Sequence, residues 1–152
     1  MNRYRTSGFT LVELMIVVAI IGLLASMAMA SLSKARVRSQ NTIFINDVRV
    51  FSGDFERYAL ENRTYPPDTT PTVVPAGMDG YLKVKRWQGV TPIGGSWDWD
   101  YNQFGVKAGV SVYQPGARTE RMQDIDRMID DGDLDNGSFR QRSSGYISIL
   151  EF

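Results

Sequence analysis

Glu13 is the one ionisable residue in Phe9–Leu32, a run long enough to span about 36 Å as a helix. A carboxylate near the middle of a bilayer costs about 2.5 kcal/mol or more, so one inside such a run marks a functional site. A second acidic set is Asp131, Asp133 and Asp135, spaced two apart in Asp131-Gly132-Asp133-Leu134-Asp135-Asn136-Gly137. Alternating carboxylates on a tight loop supply the hard oxygen ligands that calcium takes. The match to an EF-hand loop is incomplete: glycine falls one place late, and Arg142 stands where a closing Glu belongs. A solvated turn closing a helix is the simpler reading of the same residues. The sequence has no His and no Cys, which excludes Ser-His-Asp, Cys-His and His-x-x-x-His chemistry and any disulfide framework. Lys plus Arg and Asp plus Glu number 17 each, so no net charge points to nucleic acid as a partner.

The elements that position these groups begin with a helix. Phe9–Leu32 is apolar on every side, as a membrane span must be. From Ser33 the pattern turns amphipathic. Phe44, Val48, Phe51, Phe55 and Tyr58 share one helical face, while Arg36, Gln40, Asp47, Asp54 and Arg57 take the others. Tyr65-Pro66-Pro67 forbids continuation, so the helix ends by about Glu61. Basic residues flank both ends of the apolar run, Arg3 and Arg5 before it and Lys34, Arg36 and Arg38 after it. Charge alone therefore does not orient the span.

Gly8-Phe9-Thr10-Leu11, with Glu13 two places on, follows the basic leader Met1–Ser7 and opens the unbroken apolar run. This order resembles the processing and assembly segment of the type IV pilin superfamily, which includes the pseudopilins of type II secretion systems. The resemblance covers residues 1 to about 38, with a weaker echo over Tyr58–Pro67. It implies that a prepilin peptidase cuts between Gly8 and Phe9 and methylates the new amine, and that Glu13 serves assembly. It implies partners as well: other copies of the chain, minor pilin-like subunits, an inner-membrane assembly platform, and lipid before assembly. The expected organisation is a leader at 1–8, a transmembrane or fibre-core helix at 9–33, and a periplasmic globular domain at 34–152. Many family members carry a proline late in the apolar run; here Ala30 stands in its place, so no kink is required. The absence of Cys removes the C-terminal disulfide loop of many pilins. Pseudopilins often bind calcium near the C-terminus, which raises the standing of the acidic loop and leans toward a pseudopilus.

A rival reading uses the same residues. Ala28-Met29-Ala30 fits a signal-peptidase site, which would release a soluble binding domain beginning at Ser31. Trp97 and Trp99 would then offer a glycan platform. The length of the apolar run and Glu13 within it argue against this.

The remaining residues predict a small antiparallel sheet packed on the helix, an α+β fold. Trp97, Trp99 and Tyr101 alternate with Asp98, Asp100 and Asn102, a half-buried strand whose aromatic face covers the helix. Val106–Tyr113 forms its hairpin partner, and Phe139–Arg142 with Tyr146–Leu150 forms a second hairpin. Between them Thr119 caps a short helix bearing Met122, Ile125 and Ile129 on one face. Met78–Leu82 predicts a helical turn, and Lys83–Trp87 a solvated strand or turn.

Overall fold

The computed structural model describes residues 9–152. They fall into two compact units, the first ending at Ser39 and the second comprising Gln40–Phe152. Helix α1 covers Leu11–Asn62. Its stretch up to Ser39 is long and apolar enough to cross a membrane. There the large apolar side chains, such as Leu11, Leu24 and Leu32, are exposed. Ser26 donates its hydroxyl to the Leu23 carbonyl at 2.7 Å, so its polar group is satisfied within the helix.

In the second unit the rest of α1 packs on a four-stranded antiparallel sheet of order β1-β2-β4-β3. The strands are β1 (Ser96–Gln103), β2 (Val106–Tyr113), β3 (Phe139–Arg142) and β4 (Gly145–Glu151). The two short helices are α2 (Val84–Trp87) and α3 (Thr119–Ile129). Both predicted hairpins are present, and β4 is the strand that joins them through its pairing with β2.

The predicted helix stripe is the core. Phe44, Val48, Phe51 and Phe55 are buried against Trp97, Trp99, Val110, Val112 and Phe139. Aromatic stacking fixes the helix on the sheet: Phe44 lies over Trp97 at 5.3 Å and Phe55 over Trp99 at 3.7 Å, while Phe51 meets Trp97 edge-on at 5.0 Å. Trp97 and Trp99 are thus interior and form no exposed glycan platform. Helix α1 ends as its residues require. The Asn62 side chain donates to the Tyr58 carbonyl at 3.0 Å, Arg63 turns left-handed at φ 61°, and Pro66 and Pro67 follow.

Three expectations are corrected. Lys83–Trp87 is neither a solvated strand nor a plain turn. It contains α2, whose Trp87 is wholly buried against Phe51 and Phe55 and donates its indole N–H to the Val73 carbonyl at 2.9 Å. Asp47 does not sit on a solvent face: it is buried in an ion pair with Arg86 of α2. Thr119 does not cap α3. Arg118 occupies that position and makes no side-chain cap, whereas Met122 and Ile125 are buried as predicted.

Neither outer edge of the sheet is left bare. On β1 the Thr72 amide donates to the Trp97 carbonyl and the Tyr101 amide donates to Asp68 Oδ1, both at 2.9 Å. On β3 the Gln141 amide donates to the Leu134 carbonyl at 2.7 Å.

Candidate functional site

Phe9 and Thr10 precede the first turn of α1, and Phe9 is exposed. Gly8, the other residue of the expected cleavage pair, lies outside the described residues. Thr10 caps the helix. Its carbonyl accepts the Leu14 amide at 3.3 Å, and its hydroxyl oxygen accepts the Glu13 amide at 3.2 Å. The Glu13 carboxylate reaches back, accepting the Thr10 amide at 2.8 Å and the Thr10 hydroxyl at 2.7 Å on the same oxygen, Oε2. This is a reciprocal capping box: each side chain satisfies a donor that the helix start would leave open. The Thr-x-x-Glu spacing was readable in the sequence, but Thr10 carried no role there. Glu13 therefore has a local partner within one subunit. Only one of its oxygens is engaged by Thr10, which leaves the other able to accept from a cation.

The acidic loop follows α3. Asp130 ends the helix, and its Oδ2 accepts both the amide and the hydroxyl of Ser138, which closes the loop. Inside it, Asp131 Oδ1 accepts the Asp133 amide at 2.8 Å and Asp133 Oδ1 accepts the Asp135 amide at 3.1 Å. Asp133 Oδ2 accepts from the Asn136 side chain at 2.8 Å. These bonds, from Asn136 first and then the Asp135 amide, hold the Asp133 carboxyl below its usual range. Gly137 is demanded by this closure: its φ is 77°, and a Cβ there would lie 2.1 Å from Asp130 Oδ2.

Among the described residues, no three acidic side chains converge as a ready-made metal site. Asp131 and Asp133 each use an oxygen to shape the loop, and Asp135 is exposed. Sequence reasoning missed Asp126 on α3. It is fully buried, and among the described residues neither of its carboxyl oxygens meets a hydrogen-bond partner at normal geometry. Burial, then Asp131 and Asp130, push its pKa up, with the Gly132 amide opposing. A buried carboxylate this weakly hydrogen-bonded, beside a loop of further carboxylates, is a strong attractor for a cation or a proton.

The comparisons agree with the helix terminus. The family described as the prokaryotic N-terminal methylation motif matches residues 3–29. The type II secretion system core protein G of Pseudomonas aeruginosa is 30% identical over 129 residues, which cover 77% of this chain and 87% of that protein. The core protein G of Pectobacterium carotovorum is 32% identical over 92 residues, 53% of this chain and 59% of that protein. The type IV wide pilus major component PilA4 of Thermus thermophilus is 31% identical over 102 residues, 55% of this chain and 76% of that protein. No solved structure matches. With the methylation motif at the head of a capped apolar helix, and likeness that runs on into the globular unit, the chain belongs to the superfamily of type IV pilins and type II secretion pseudopilins.

Proposed function

We propose that the protein is a structural subunit, not an enzyme, of a type II secretion pseudopilus or a type IV pilus-like fibre. The methylation motif at the start of an exposed apolar helical stretch carries this reading. A prepilin peptidase cuts between Gly8 and Phe9 and methylates the new amine. Residues 1–8 are lost, residues 9–33 hold the subunit in the inner membrane, and residues 34–152 fold on the periplasmic side. On an inner-membrane platform, copies of the subunit and minor relatives leave the lipid as their apolar helices bury against one another. Such a contact joins unlike faces and does not close, so it propagates into a helical fibre. The lack of Cys favours the pseudopilus among the two.

Intact-protein mass spectrometry tests the processing step. The mature chain is expected to start at N-methylated Phe9. A start at Ser31 would overturn the fibre reading in favour of a secreted domain. Gly8→Leu should leave the precursor uncut in the membrane.

The acidic loop is proposed to take calcium, with Asp131, Asp133 and Asp135 as ligands and Asp126 added to them. The weakly hydrogen-bonded oxygens of Asp126 support this addition. Bound calcium would neutralise the buried carboxylate and tie α3 to the start of β3. Stabilisation follows mass action, about 2.7 kcal/mol at a hundredfold excess over Kd. The melting temperature of the full chain in detergent should therefore rise with calcium. Identical melting in calcium and in chelator would leave the loop a plain helix cap.

A further inference from the structure

The sheet face turned away from α1 holds charges that no other element of the fold requires. Asp98 and Asp100 stand on β1, Ser111 on β2 and Arg142 on β3. Arg142 crosses the sheet to reach them. Its cross-strand partner on β4 is Gly145, which puts no side chain between. The guanidinium bonds Asp98 Oδ2 at 2.6 Å, Asp100 Oδ2 at 3.1 Å and the Ser111 hydroxyl at 3.1 Å. Ser111 in turn donates to Asp100, and the Trp99 amide donates to Asp98 Oδ1 at 3.1 Å. The Phe104 ring lies over the guanidinium at 4.7 Å. All three charged side chains are at most 6% exposed.

Two buried carboxylates share one cation. Fully ionised, the cluster keeps an uncompensated negative charge out of water, which is costly. The groups around it do not cancel that charge. Asp68, on the loop covering β1, adds to it. Tyr113 of β2 brings a ring rather than a cation, its centroid 6.0 Å from the Arg142 guanidinium. The facing residues of β4, Gly145 and Ile147, carry no charge. Arg140, on the same strand as Arg142, is turned to the Gly137 carbonyl and the Phe152 ring.

We infer that the Asp98–Asp100–Arg142 cluster is a proton-operated clamp: it binds one proton per subunit in mildly acidic surroundings and ties the C-terminal hairpin to β1 more firmly with that proton than without it. Burial, then the neighbouring Asp100, push Asp98 up to about 6 against the pull of Arg142. Burial also raises Asp100, against Ser111 and Arg142. A carboxyl whose pKa is higher folded than unfolded binds its proton more tightly in the folded chain. Its stabilising contribution is therefore complete below the unfolded value near 3.8 and is lost as pH rises through about 6.

Carbon-13 carboxyl NMR on the aspartate-labelled full chain in detergent micelles tests this directly, with Asp98→Asn assigning the resonance. One titration from the cluster is expected with a midpoint near 6, about two pH units above exposed aspartates. In Asp98→Asn that titration should vanish, and the decline in melting temperature between pH 5 and pH 8 should flatten. Cluster carboxyls in the wild type that all titrate near 4 would overturn the clamp, and this readout stands even if the variant fails to fold. A variant that keeps the full wild-type decline would also overturn it, because other raised groups such as Asp47 and Asp126 would then carry the pH dependence.

Discussion

Cells whose only copy of this subunit is Glu13→Ala should yield no sheared fibres, although the protein is still inserted and cleaved. The proposed cleavage at Gly8 would create an amine at Phe9, at the depth of the Glu13 carboxylate. In a staggered fibre, the amine of an incoming subunit would meet Glu13 of its neighbour. Removing one partner of a desolvated pair leaves the other unpaired, at a cost of about 3–5 kcal/mol. The capping box supplies a competing explanation, because Glu13→Ala also strips the Thr10 amide of its acceptor. Loss of a cap costs about 0.5–2 kcal/mol. Glu13→Gln separates the two effects. A Gln at this place still completes a capping box but carries no charge. If charge pairing sets the register, the Gln variant also makes no fibres. If capping alone matters, it makes normal ones. Abundant fibres of normal register from Glu13→Ala would instead mean that the carboxylate merely extends toward the headgroups, which its place near the end of the span permits.

Trp99→Ala should unfold the globular unit far more readily than any surface change. Trp99 stacks on Phe55 of α1, packs near Tyr65 at 5.6 Å, and donates its indole N–H to the Pro66 carbonyl at 3.0 Å. One side chain thus joins the helix, the sheet and the segment that ends the helix. Truncation loses about 3–5 kcal/mol of packing, and it leaves a buried carbonyl without its donor. Domains of this size are stable by about 5–15 kcal/mol. The expected fall in melting temperature is about 10 °C or more, read by near-ultraviolet circular dichroism. A fall of only a degree or two would mean that the aromatic row does not anchor the helix.

Periodicity made most of this legible. The four-three spacing from Phe44 to Tyr58 marked the buried stripe of α1, and the alternation from Trp97 to Tyr101 marked the inner face of β1. Each pattern repeats often enough to fix a face. Helix α2 does not: it has four residues, and its Lys85 and Arg86 read as solvated although Trp87 is core. Alternation likewise assigned Asp98 and Asp100 to water. What covers them is Arg142, 44 residues beyond Asp98, and a strand pattern cannot announce a side chain arriving from so far along the chain. Strand order was hidden for a related reason, since alternation fixes which side a residue faces and not which strand lies beside it. At the site, Thr10 and Glu13 were legible as part of the processing motif, but the capping box between them was not read from it. The buried carboxylate of Asp126 was not legible either, because on an amphipathic helix an Asp reads as surface.

The covered edges of the sheet bear on how such a subunit survives crowding. An edge strand with a free row of amides and carbonyls recruits further strands, and stacks of that kind grow into cross-β deposits that do not come apart. Here the chain's own loops occupy donors and acceptors on β1 and β3. In the fibre proposed above, polymerisation would thereby be steered away from the backbone and left to side-chain contacts of the helical stretch. Loosening the Asp68 or Leu134 contacts should expose those edges and favour irreversible aggregation.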